Sequence, residues 1–195
     1  MRYALFSIAL ALFLFGNTAT QAETKKYSMP PCINTKGGEQ PLVYHVHPQL
    51  IITGYRTAKA DEPKDGKRPS RLITPFDLVV PANLGVWHGH IPNGLTPPSG
   101  KDSCYQEIHT HTFSGILHVE SVTEGMVYKM GHFFEVWSLK DHQAKDMLGR
   151  ILSVEVLEAD GTSYFVPKDK FLEIDITKDL RKILVRLKVD EYSSD

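Results

Sequence analysis

The chain has little cysteine, no excess of either charge and no apolar run of membrane-spanning length, and each shortage excludes something. Among 195 residues, 22 Lys and Arg stand against 23 Asp and Glu, a formal net charge of −1. A nucleic-acid partner needs a concentrated basic surface to displace counterions from phosphates, and this balance supplies none. At 42% hydrophobic and 23% charged, the composition is that of a globular protein, not a disordered polymer. The one long apolar run, residues 4–15, is shorter than the ~20 residues that cross a bilayer as a helix. It follows Arg2, is closed by Gly16-Asn17 and precedes the small residues around Thr20-Gln21-Ala22. The run reads as a secretory signal peptide over residues 1–22, the alternative being a membrane anchor. On the first reading the mature chain starts near Glu23, is exported to the periplasm or secreted, and has no membrane span.

Familiar catalytic signatures are also missing. There is no His-Glu-x-x-His zinc motif, no Gly-x-Ser-x-Gly elbow and no phosphate-binding Walker loop. A cupin-type site needs Glu four or five residues after His-x-His, where this chain has Gly115 and Ile116. A copper brace needs an N-terminal His, and cleavage after Ala22 leaves Glu23. Blue copper is imitated only loosely by Cys104, His109 and Met126 or Met130. The sequence therefore leans away from an enzyme.

The two cysteines are Cys32 and Cys104. In an oxidising compartment such a pair most often forms one disulfide, here tying an N-terminal arm to the start of the most His-rich segment. The alternatives are a free thiol or a soft metal ligand at Cys104.

The pattern along the chain predicts a mainly β protein, either an antiparallel β-sandwich or two small β subdomains with a short helical insert. Residues 23–40 form a polar extended arm and residues 41–125 a His-rich β unit. Residues 126–149 hold short helices ended by Gly149, and residues 150–195 form a C-terminal β unit. Within the first unit, Pro41 to Tyr55 and Leu72 to Val80 read as strands. Tyr105 to Ser121 reads as a hairpin turning through Thr112-Phe113-Ser114-Gly115. In the last unit, residues 151–157 and 163–166 flank a turn, and the alternating Phe171 to Ile176 and Ile183 to Val189 read as half-buried strands. Segments 57–70 and 92–103, rich in Pro, Gly and charge, read as long loops open to a protein partner.

What the chain has in abundance is histidine: nine residues, six of them as His45-Val46-His47, His88-Gly89-His90 and His109-Thr110-His111. In a strand, residues i and i+2 share a face, so two imidazoles at that spacing lean toward one ion. A four-residue hairpin turn pairs His111 with Ile116 and sets His109 directly opposite His118, placing His109, His111 and His118 on one face. His45 and His47 join them only if their strand packs beside the hairpin. Imidazole suits copper or zinc, whereas calcium and magnesium prefer oxygen. Glu107 and Glu120 read as acceptors orienting an imidazole or as solvated charges, with direct ligation a third option. His88 and His90 sit on a loop with a weaker claim, and His132 and His142 read as ordinary helix residues. The helical set Phe133, Phe134 and Trp137 reads as core.

The string Cys104-Tyr105-Gln106-Glu107-Ile108-His109-Thr110-His111, with Gly115, His118-Val119-Glu120 and then Gly131-His132-Phe133-Phe134-Glu135-Val136-Trp137, resembles a family of exported or membrane-anchored bacterial and archaeal proteins. That family carries a Cys-x3-[Leu/Ile]-His-Thr-His-Asp-x-[Ser/Thr]-Gly-x-[Ile/Leu]-His-[Val/Ile]-Glu core and a Gly-x-Phe-Phe-x-x-Trp helix. Its upstream His-x-His strand matches His45 and His47, and its Pro-Ala-x-x-Gly segment matches Pro81 to Gly85. The resemblance spans roughly residues 41–190 and implies a His-rich exported module without implying a reaction. The chain departs from the pattern at Thr112, where the family has Asp; Cys32 and the His88-Gly89-His90 loop lie outside it.

The leading expectation is an exported soluble protein that handles or buffers copper or zinc through His109, His111 and His118, with His45 and His47 next. An exported interaction module with structural histidines is the second reading. A metalloenzyme with an open coordination position is the third.

Overall fold

A computed structural model of the chain describes residues 27–33, 41–57, 73–92, 95, 103–141 and 143–188. The expected signal peptide, most of both long loops and His142 lie outside these residues. The order of elements is β1 (Cys32–Ile33), β2 (Tyr44–Val46), β3 (Gln49–Thr57), β4 (Ile73–Leu78), β5 (Val86–His88), β6 (Ser103–Gln106), β7 (Ile108–His109) and β8 (His118–Ser121). Then follow α1 (Met130–Ser138), α2 (Gln143–Leu148), β9 (Ile151–Glu158), β10 (Ser163–Val166), a 3-10 helix (Lys168–Glu173) and β11 (Leu180–Leu187). The fold is mainly β.

The strands form a five-stranded sheet in the order β10-β9-β11-β3-β4 and two three-stranded sheets, β1-β6-β5 and β2-β8-β7. Alternation explains the large sheet. On β9, Ile151, Val154 and Val156 are buried, and on β11, Leu180, Ile183, Val185 and Leu187 are buried. The expectation of a wholly antiparallel arrangement is corrected at one place, because β11 runs parallel to β3, with Ile183 beside Leu50 and Val185 beside Ile52. Strand β3 belongs to the His-rich segment and β11 to the C-terminal one, and both feed one cluster of buried side chains with the hairpin and α1.

Two further expectations are corrected. Phe171 to Ile176 is not a strand: residues 168–173 wind into a 3-10 helix after Pro167. Phe171 and Ile174 are both buried, three residues apart, which matches the three-residue turn of that helix better than a period of two. The run from Tyr105 to His111 is not one strand either, since it breaks at Glu107 and passes from one small sheet to another.

Helix α1 buries Met130, Phe133, Phe134, Val136 and Trp137, as an amphipathic helix over a core should. Phe134 meets Phe171 edge-on at 5.4 Å. The helix has no acidic residue in its first turn, and His132 serves instead: the Lys129 amide donates to His132 Nδ1 at 2.9 Å. The hairpin tip docks on β3 through the Leu50 amide, which donates to the Gly115 carbonyl at 2.8 Å. Gly115 has φ +74, and a Cβ there would lie 2.2 Å from the Leu50 oxygen. Glycine alone satisfies both demands.

Cys32 and Cys104 form a disulfide with Cα atoms 5.3 Å apart, linking β1 to β6 across 72 residues of sequence. Cys104 is therefore not a metal ligand. On the chain-entropy model a closed loop of that length stabilises by about 4 kcal/mol. Reduction should lower the urea midpoint by a corresponding amount, measured by unfolding curves with and without reductant.

Candidate metal centre

The site is built outward from the break at Glu107. Its amide donates to the Pro31 carbonyl at 2.9 Å, and its carbonyl accepts from the Glu120 amide at 2.8 Å, so its main chain faces two different sheets. Its carboxylate is fully buried and accepts from Ser121 Oγ at 3.2 Å, the Val122 amide at 3.2 Å and the Tyr128 hydroxyl. Burial, then the Glu107 carboxylate, pushes the Tyr128 hydroxyl far above the usual tyrosine range, so it stays protonated and donates. The reading of Glu107 as a solvated charge is thereby overturned.

One residue earlier, Gln106 is clamped by its side chain. Its Oε1 accepts from Trp87 Nε1 at 3.0 Å and its Nε2 donates to the Pro30 carbonyl at 3.1 Å. Its main-chain oxygen then faces His109 Nδ1 at 2.8 Å. A carbonyl only accepts, so Nδ1 carries the ring proton and the lone pair lies on Nε2, the state a metal requires.

Thr110, between the two histidines, points the opposite way. It is buried; its hydroxyl donates to the Pro81 carbonyl at 2.8 Å and accepts from the Leu84 amide at 3.0 Å. Its own amide donates to the Leu84 carbonyl at 3.0 Å. The turn that receives it passes close behind β7: a Cβ on Gly85 would lie 2.4 Å from the Ile108 oxygen and 3.0 Å from His109 Cβ. Alternation thus turns both imidazoles to the side away from Thr110, His111 exposed and His109 buried, while the spacer bolts them to the core.

The hairpin register sets His109 opposite His118, as the spacing predicts. Ile116 bridges Gln49 on β3 instead of pairing with His111, which lies just beyond β7. On the other side of β8, strand β2 pairs antiparallel with His45 opposite Glu120, so the first His-x-His does pack beside the hairpin. His45 Nε2 lies 2.8 Å from Glu120 Oε1 and 3.4 Å from His118 Nδ1, and that Nδ1 is 3.9 Å from Glu120 Oε1. The His47 ring lies 4.3 Å from that of His45 and 4.5 Å from that of His118. On the hairpin, His109 Nε2 and His111 Nε2 are 3.2 Å apart, and the His109 and His118 rings stack at 5.1 Å.

The structure therefore brings together all five histidines expected to meet. Their donors form two sets that can hold a metal ion, His45/His47/His118 and His109/His111/His118, each with its donors within 4.8 Å of one another. His109 is buried, His118 half-buried, and His45, His47 and His111 are exposed. The exposed side opens onto a cleft of about 630 Å³ lined also by Asp179, Leu180 and Arg181. His88 and His90 are exposed and belong to neither set, although the His88 ring lies 6.0 Å from Tyr105.

Charge within the cluster is self-limiting. Burial, then the neighbouring His109 and His111, lowers His118 to about 3. Burial lowers His109 to about 4 against the Gln106 carbonyl, which acts the other way. Burial, then His45, also lowers His47. At neutral pH His109 and His118 are neutral and their lone pairs are open.

Gln106, Thr110 and Gly85 support the ligands without being visible in a search for ligands. The available signal was indirect: a hydroxyl spacer inside His-x-His, and a turn composition at Pro81 to Gly85 upstream of it. No protein-family model, curated protein or solved structure matches the chain.

Replacing Thr110 with Val leaves the buried Leu84 amide and the half-buried Pro81 carbonyl without that partner and should cost about 2–3 kcal/mol. Thr112→Val loses only solvent-exposed bonds to Ser114, at 2.8 and 3.4 Å, and should cost less than about 1 kcal/mol; urea denaturation of both variants measures the contrast. A pH dependence also follows. His109 and His118 titrate near 6.5 when unfolded and lower when folded, so their contribution is fully present above pH 6.5 and lost as the pH falls toward 4. Metal-free unfolding curves across that window should show falling stability, and His118→Gln should flatten part of the fall.

Proposed function

We propose that the chain is an exported protein that binds copper or zinc through His109, His111 and His118, with His45 and His47 adjoining, and that it handles or buffers the ion. The observation that carries this reading is the pair of three-histidine sets meeting at His118 on hydrogen-bonded strands. Neutral imidazoles favour borderline ions over calcium or magnesium, which seek several oxygens. The first ligand is pre-oriented, because the Gln106 carbonyl holds the His109 proton on Nδ1. Handling is supported by what the surrounding groups do: Gln106, Thr110 and Glu120 each bond to or anchor an imidazole-bearing strand.

Export is supported by the leader-like residues 1–22, by the resemblance to an exported family, and by a disulfide of the kind that persists in oxidising compartments. No helix among the described residues is long and apolar enough to cross a membrane.

The purified, untagged chain should carry close to stoichiometric copper or zinc by elemental mass spectrometry. In titrations with each ion, a His109→Ala/His111→Ala variant should lose at least about a hundredfold in the affinity of its tightest binding event, since even outer-shell partners are worth 10–100-fold. Equal affinity in the two proteins, or only traces of metal in both, would remove the proposal.

A further inference from the structure

Resting on the metal-binding reading, we infer that the cluster is built for two ions, with His118 as the ligand they share. An ion bound to nitrogen at ~2.0–2.1 Å needs tetrahedral donors about 3.3 Å apart. Donor pairs at that spacing occur on both sides of His118: His109 Nε2 with His111 Nε2 at 3.2 Å, and His45 Nε2 with His118 Nδ1 at 3.4 Å. The five histidines do not gather into one set; they divide into two threes with His118 in common.

The two nitrogens of one imidazole direct their lone pairs away from each other. His118 Nδ1 faces His45 and Glu120, so it belongs to the outer position. That position has His45, His47 and His118 Nδ1 as donors, with Glu120 Oε1 at its edge, 2.8 Å from His45 Nε2, and it lies beside the Arg181 cleft. The inner position takes His109 and His111 through Nε2, and with His118 Nδ1 committed outward, Nε2 is the nitrogen His118 has left to offer it as third donor. Serving both ions, His118 gives up its remaining ring proton to solvent and binds as imidazolate, with one N–H bond broken and a second metal–nitrogen bond formed. No electron transfer is involved. Burial makes the positions unequal: the inner is backed by buried His109, whereas His45 and His47 are exposed.

The test is titration of the metal-free full chain with Cu(II) alone, counted by native mass spectrometry and followed by electron paramagnetic resonance. Two ions per folded chain are expected, with the resonance intensity of the second-ion form well below that of two isolated Cu(II) ions because the shared imidazolate couples their spins. His45→Ala/His47→Ala and His109→Ala/His111→Ala should each retain one ion, and His118→Gln should weaken both bindings at least tenfold. His88→Ala/His90→Ala should still bind two. Saturation at one ion that either pair of substitutions abolishes overturns the inference while leaving the metal-binding reading intact. So does loss of the second ion in the His88/His90 variant, or two ions with full uncoupled intensity. Binding of no ion at all defeats both.

Discussion

A carboxylate with no exposed surface, that of Glu107, accepts from Tyr128, Ser121 and the Val122 amide where the chain leaves one small sheet for the next. Burying a charge without partners costs far more than a single contact returns, so its position is set by those three donors together. The geometry of the site depends on this anchorage. Because the chain bends at Glu107, the Gln106 carbonyl lies within reach of His109 Nδ1, and residues 108 and 109 take up new pairing with β8. A continuous strand would leave β7 in the sheet of β1 and β5, with no partner for His118. The disulfide and the Gln106 side-chain bonds brace the same bend from the β1 side.

The parts of the fold that were legible in the sequence are those governed by local period. The alternation of β9 and β11, the aromatic face of α1 and the opposition of His109 to His118 all follow from spacings of two, or of three and four. The parts that were not legible depend on contacts between distant residues or on competition between periods. Phe171 to Ile176 alternates like a strand, but Phe171 and Ile174 are also three apart, and packing against α1 selects the 3-10 form. The parallel pairing of β11 with β3 has no local signature, since it joins residues 49–53 to 182–186. At the site, the ligands were legible because histidine is chemically conspicuous. Their supports were not, because a buried Thr, Gln or Gly looks ordinary until the groups around it are known. Glu107 shows the same limit: its charge suggests solvent, and the donors that explain its burial, at Ser121, Val122 and Tyr128, lie 14 to 21 residues away.

The electrostatics of the cluster bear on how a cation would be held. Protons and metal ions compete for the same imidazole lone pairs, and burial, with the neighbouring imidazoles second, weakens the proton's claim at His109 and His118. Lower basicity also weakens each individual metal bond. Preorganisation is the offsetting term: the imidazoles are held by cross-strand pairing and, at His109, by a fixed tautomer, so less side-chain entropy is lost when an ion arrives. Glu120, 2.8 Å from His45, supplies a negative charge beside the exposed histidines.

The strand register described above also implies an order of assembly. His109 and His118 face each other across residues 110–117, a closure that a short chain makes quickly and at little entropic cost. His45 reaches His118 across 73 residues, and the strand that follows it is pinned beside β11 near the end of the chain. The hairpin half of the cluster therefore needs only short-range closure for its cross-strand pairing, while its anchors at Pro30, Pro81 and Tyr128 come from farther away in the chain. The other half waits for the long-range sheet to close, so a chain caught partway through folding would present a complete inner ligand set with its outer one still unmade.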